Sequence, residues 1–127
     1  MEIPENLRYT KDHEWVASQG DVATVGVTGF AVEQLGDIVH VDLPAKGTKF
    51  QSGETFGTIE STKTVSDLYM PVTGTVVELN DAICAAPEEV QERPYDKGWL
   101  VKVQIAQEET AELLDAAEYE SYVKQQE

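Results

Sequence analysis

Cysteine is almost missing from this chain: among its 127 residues only Cys84 carries a thiol. One thiol excludes a disulfide framework, a two-cysteine redox pair and a cysteine-based zinc site. Histidine is nearly as scarce. His13 has no second His or Cys near it in sequence, so a structural role is expected. His40 alternates with Ile38 on an expected strand and is read in the same way, as packed or partly exposed. No metal site follows from either. Positive charge is in short supply too, with nine Lys and Arg against 24 Asp and Glu and a formal net charge of −15. Phosphate recognition needs clustered Lys and Arg, so nucleic acid and anionic membrane are excluded as partners. No apolar run approaches the ~20 residues of a membrane span. The opening Met1-Glu2-Ile3-Pro4-Glu5 lacks the charged-then-apolar order of a signal peptide. The expected location is the cytoplasm, or the mitochondrial matrix for a processed eukaryotic chain.

What the chain does contain is β-branched residues in short runs between turn signals. Its length suits a single domain, 1–127, with one core. Residues 7–16 carry aromatics and are expected to form an edge-like strand. Gln19-Gly20-Asp21 then turns into a partner strand over residues 22–27. Thr28 is placed to cap a short helix over 29–35, with Phe30, Ala31, Gln34 and Leu35 facing inward and Gly36 closing it in a left-handed cap. Further strands are expected over 37–43, 54–59, 68–72, 75–80 and 100–105, with Lys49-Phe50 leading into the central hairpin. Pro87 opens a short helix that Pro94 ends. A helical extension is expected over about 108–125: a first segment packs Ala111, Leu113 and Leu114, and a second starts at an Asp115…Glu118 capping box. An echo between residues 36–41 and 74–79 suits two related halves. The expected fold is mainly β, a flattened antiparallel barrel or sandwich with short helices and a C-terminal helical tail.

The organising stretch is Glu60-Ser61-Thr62-Lys63-Thr64-Val65-Ser66-Asp67. Its flanks predict a hairpin, and the tip has no Asn-Gly or Asp-Gly for a primed two-residue turn. A type I turn through Ser61, Thr62 and Lys63 accepts the residues present and holds the Lys63 ammonium out in water. An enzyme that modifies an amine needs such a protruding, rigidly mounted target. No nucleophile, base and acid set appears elsewhere, which predicts a protein without turnover of its own.

The pattern Glu-Ser-x-Lys-x-x-Ser-Asp resembles the modification site of the glycine cleavage system H-proteins. Lipoyl domains of 2-oxoacid dehydrogenases read Asp-Lys-Ala at the lysine, and biotin carriers read Met-Lys-Met. The likeness extends over nearly the whole chain, through Tyr9 with His13-Glu14-Trp15, Leu35-Gly36-Asp37, Pro94-Tyr95, Gly98-Trp99 and Leu113-Leu114-Asp115. Thr62-Lys63-Thr64-Val65 departs from the Val-Lys-Ala-Ala common in the family. The resemblance implies a lipoyl-domain-like hybrid barrel with lipoate attached to Lys63, and Glu60, Ser61 and Ser66 recognised around it. It also implies a cleft in which Glu14 and Asp67 meet a protonated aminomethyl group on the arm. The implied partners are a lipoate-attaching enzyme, glycine decarboxylase, an aminomethyltransferase and dihydrolipoyl dehydrogenase, served by a monomeric carrier. The alternative is an H-protein-like carrier in lipoate relay or in sulfur oxidation.

Overall fold

The structure is a computed structural model that describes residues 3–107 and 113–126. The first strands are β1 (Arg8–Tyr9), β2 (Glu14–Gln19) and β3 (Val22–Val27), followed by helix α1 (Gly29–Leu35). Residues 7–16 are therefore not one strand. Thr10 breaks the run: its hydroxyl accepts the N–H groups of Asp12 and Glu14, both at 3.2 Å. His13 then takes a left-handed φ of 66°, and β2 folds back so that Tyr9 pairs with Trp15. A polar side chain offering local acceptors is what converts an aromatic-rich stretch into a turn.

The chain continues through β4 (Ile38–Asp42), β5 (Lys49–Phe50), β6 (Thr55–Ser61), β7 (Val65–Tyr69) and β8 (Thr73–Leu79). It then passes α2 (Asp81–Ala85) and α3 (Glu88–Glu92) into β9 (Val101–Gln107) and α4 (Ala116–Gln126). The strands form two antiparallel sheets, one of six in the order β1-β2-β3-β9-β8-β5 and one of three in the order β4-β6-β7. Val25, Val76, Val101 and Val103 of the first share one buried cluster with Val41, Ile59 and Leu68 of the second. Burial of these alternating faces against each other supplies the main driving force of the fold. Among the described residues no helix is long and apolar enough to cross a membrane.

Several expectations change. In α1 the buried residues are Phe30, Val32 and Leu35, whereas Gln34 is exposed. Gly36 has the expected positive φ, 83°, but its ψ of −143° is extended and so outside the left-handed helical region. Helix α2 was not expected. Asn80 precedes it without a side-chain cap, because its amide donates to the carbonyls of Lys97 and Trp99 instead (2.8 and 2.7 Å). Of the first helical segment expected after residue 107, Glu108 and Ala111 lie outside the described residues. Leu114 is not helical: it pairs with Tyr9 as a short bridge, their backbones exchanging bonds of 2.8 and 2.7 Å. The capping box opens α4 as expected, with Asp115 N–H donating to Glu118 Oε1 (2.9 Å) and Glu118 N–H to Asp115 Oδ1 (2.8 Å).

Candidate functional site: a braced lysine beside an acidic cleft

Glu60 pairs with Val65 where β6 meets β7, and the Ser61 N–H donates to the Thr64 carbonyl across the turn (2.8 Å). The turn's other bonds go to a side chain. The buried Ser61 hydroxyl oxygen accepts the N–H groups of Lys63 (3.3 Å) and Thr64 (3.2 Å). Neither Thr62 nor Lys63 has a positive φ, so the primed turns are excluded, as the absence of glycine at the tip predicts. A further strut comes from outside the hairpin, since the Thr62 N–H donates to the Asp37 carbonyl (3.0 Å).

Lys63 itself is exposed. Among the described residues no carboxylate lies within ion-pairing distance of it. Its aliphatic stem runs over Gly36, where a Cβ would sit 3.4 Å from Lys63 Cε. An L-residue at position 36 would be strained by its φ, while its Cβ would meet the lysine stem in ordinary van der Waals contact.

Beside this turn lies a cleft of about 260 Å³. Phe30, Ala31 and Leu35 of α1 line it together with Glu14, Ser66 and Asp67. Lys63 is not itself part of the lining; it is joined to the cleft through Leu35, which lines it, and Gly36, the next residue, which lies under the lysine stem. The structure therefore brings the expected pair, Glu14 and Asp67, to one cavity, and adds Ser66 to its lining. Glu60 is elsewhere. It is exposed in the cross-strand row His40–Glu60–Val65, away from the cleft lining. Trp15 does not line the cleft either. It is buried against Gly26, where a Cβ would clash with the indole ring, and its Nε1–H donates to the Pro94 carbonyl (2.9 Å).

Asp67 is exposed, whereas Glu14 is only 2% exposed. Glu14 Oε2 accepts the Tyr69 N–H (2.8 Å) and Oε1 accepts the Thr10 hydroxyl (3.3 Å). Burial pushes its carboxyl up from the ordinary 4.5 to about 8, outweighing the opposing Tyr69 bond, and the nearby Asp12 charge pushes the same way. Glu14 also borders a second cavity of about 490 Å³ that includes Thr10, Lys11, Met70 and Leu114. The polar contribution of α4 to this region is not foreseen from sequence: Gln126 lines the first cleft, and the Tyr119 hydroxyl reaches both His13 and Thr28. Contacts spanning about a hundred residues leave no local pattern to read.

Comparison with known proteins bears on the whole chain. The family model described as glycine cleavage H-protein matches residues 7–126. The glycine cleavage system H protein of Anaeromyxobacter sp. (strain K) is 48% identical over 128 residues, covering 100% of both chains. That of Beutenbergia cavernae is 56% identical over 119 residues, 94% of each. Among solved structures, the glycine cleavage system H protein from Mycobacterium marinum superposes with a TM-score of 0.87 at 43% identity, over 98% of each chain. With the family model matching residues 7–126 and the fold matched over 98% of the chain, the chain belongs to the glycine cleavage H-protein family.

Proposed function

We propose that this chain is the lipoyl-carrying shuttle of the glycine cleavage system, with lipoate amide-linked to Lys63 Nζ. The observation that carries the reading is the mount. Lys63 is an exposed amine, with no ion-pair partner among the described residues, on a turn braced by Ser61 Oγ and by the Asp37 carbonyl, within the frame Glu60-Ser61-x-Lys63. An amine held this way is presented to an attaching enzyme at little cost in ordering. Glu60 and Ser66 are exposed on the strands that carry the turn and are residues such an enzyme would meet, whereas the expected third, Ser61, is buried and serves the lysine by bracing the turn.

The neighbouring cleft fits the proposed group. Phe30, Ala31 and Leu35 offer an apolar lining for a hydrocarbon arm, and Glu14 and Asp67 offer carboxylates for a cationic head. When attached, lipoate supplies a disulfide that accepts the aminomethyl unit left by glycine decarboxylation and is afterwards reoxidised. The chain's own residues do the rest. The Ser61 turn keeps the arm's root fixed. Asp67 offers an anion at the cleft mouth. Glu14, neutral while its carboxyl keeps its proton, ionises when an ammonium approaches, because an adjacent cation favours the charged form. Charge-assisted bonds from that ammonium would hold the arm in the cleft between visits to partners. Those partners are the glycine decarboxylase, the aminomethyltransferase and dihydrolipoyl dehydrogenase. The carrier has no turnover of its own.

The test is Lys63→Arg, which keeps the positive charge but offers no acylatable amine. Intact mass should show the added lipoyl group on the native chain and none on the variant, while circular dichroism remains unchanged. A reconstituted glycine oxidation assay should lose its activity. Glycine oxidation supported by the arginine variant would overturn the assignment.

A further inference from the structure

Tyr119 sits one turn into α4, fully buried, with its ring stacked on Tyr9 (centroids 4.6 Å apart, 10° between planes). A phenylalanine would satisfy that packing equally well, so the hydroxyl calls for its own explanation. It lies 2.7 Å from Thr28 Oγ1 and 2.9 Å from His13 Nδ1, joining three segments remote in sequence. Thr28 is the N-cap of α1. Its hydroxyl oxygen accepts the Ala31 N–H (3.3 Å) and its carbonyl accepts the Val32 N–H (3.1 Å), while its own N–H donates to the His13 carbonyl (3.0 Å).

One order of donors satisfies every hydroxyl in this set. Thr28 accepts from Ala31 and gives its proton to the Tyr119 oxygen, and Tyr119 gives its proton to His13 Nδ1. That order requires a neutral imidazole, and burial lowers the His13 pKa in the same sense. The set thus ties the helix-capping hydroxyl to the residue that enters β2 immediately before Glu14.

The other end of α1 leads to the lysine. Phe30, Ala31 and Leu35 of the helix line the cleft, Gly36 lies under the Lys63 stem, and the Asp37 carbonyl holds the Thr62 N–H. A seven-residue helix rises only about 10 Å, and its intrahelical bonds carry a displacement at one end to the other. We propose that Tyr119 is a positioning residue of the carrier site: by tying Thr28 to His13 it fixes α1 both as the cleft wall and as the seat of the lysine turn. The consequence for an arm in the cleft rests on the carrier reading above, whereas the positioning of α1 does not.

The experiment uses the full chain with Tyr119→Phe, which keeps the stacked ring and removes one oxygen. In the unmodified protein, amide exchange at Ala31 and Thr62 should quicken on the order of tenfold, as expected when a buried hydrogen bond that anchors a local unit is lost. Exchange at Val103, in the centre of β9, should not change. Thr28→Val should reproduce the effect and Thr28→Ser, which restores the hydroxyl, should not. The Tyr119→Phe/Thr28→Val double variant should exchange no faster than the faster single one. In the loaded protein, spontaneous loss of the one-carbon cargo should accelerate several-fold in Tyr119→Phe. Unchanged exchange at Ala31 and Thr62, or a rise matched at Val103, would overturn the proposal. Glu14→Gln with Asp67→Asn separates the two readings. If that pair leaves cargo loss at the native rate while Tyr119→Phe still loosens Ala31 and Thr62, the sheltering cleft fails and the positioning role stands.

Discussion

A carboxyl group that is 2% exposed and held near pH 8 leaves a mark on stability that can be read without any partner protein. The folded chain keeps the Glu14 proton across pH 4.5 to about 8, where the unfolded chain has released it. Glu14 therefore contributes stability at the acid end of that window, and the contribution falls as pH rises through it, by up to about 1.4 kcal/mol per unit. His13 acts with the opposite sign below its ordinary 6.5, because burial makes the folded chain refuse a proton that the unfolded one accepts. The Glu14 slope is thus cleanest from pH 7 upward. Thermal melts between pH 7 and 8.5 should show the native chain losing about 4 °C or more, and Glu14→Gln should flatten that loss. Equal slopes in the two proteins would mean that Glu14 is already ionised in the folded state. At this scale the sequence was uneven. Lys63 stood out through its frame of Glu60, Ser61, Ser66 and Asp67. The burial of Glu14 could not be foreseen, because Asp12-His13-Glu14 is a polar run and the N–H that holds its carboxylate belongs to Tyr69, fifty-five residues away.

Elements whose boundaries are set by their own side chains were legible. Thr28 caps α1, and Asp115 with Glu118 opens α4. Gly20, with a φ of 64°, turns β2 into β3. Elements whose boundaries depend on distant partners were not. Helix α2 has no cap of its own, and β1 exists as a strand because β2 on one side and Leu114 on the other take up its backbone bonds. The lysine turn belongs to the first kind, which makes it testable by a single change. Ser61→Ala deletes the acceptor for two backbone N–H groups. Both can be partly recovered by water at the tip, so the cost should be about 1 kcal/mol. It should appear as a lower urea midpoint with an unchanged slope. The attachment rate at Lys63 should fall by more than that stability loss explains, since the chain stays folded under assay conditions. An unchanged attachment rate would assign the bracing to the backbone bonds, Ser61 N–H to the Thr64 carbonyl and Thr62 N–H to the Asp37 carbonyl.

The molecule as a whole carries a net charge of −15, and much of that serves solubility. The carrier's proposed work is nevertheless repeated docking and release, in which a net charge of that size has a kinetic role. Each encounter with a basic face should be quickened by long-range attraction, which acts mainly on the association rate and weakens as salt shortens the screening length. At ionic strengths of about 0.01 M the field reaches roughly 30 Å, and at 0.15 M about 8 Å. The apparent KM of glycine decarboxylase for this carrier should therefore climb between those two conditions, with kcat nearly constant because the chemical step is untouched. Charges close to the site should contribute most. Glu60→Gln, on the exposed row beside the turn, should raise KM at low salt and lose its effect at high salt. A substitution at the end of β2 opposite the cleft-lining Glu14, such as Asp21→Asn in the β2–β3 turn, should do neither. A KM that stays flat with salt in the native chain would leave the apolar and hydrogen-bonding groups around Lys63 to account for recognition, and would confine the negative charge to keeping the carrier dispersed.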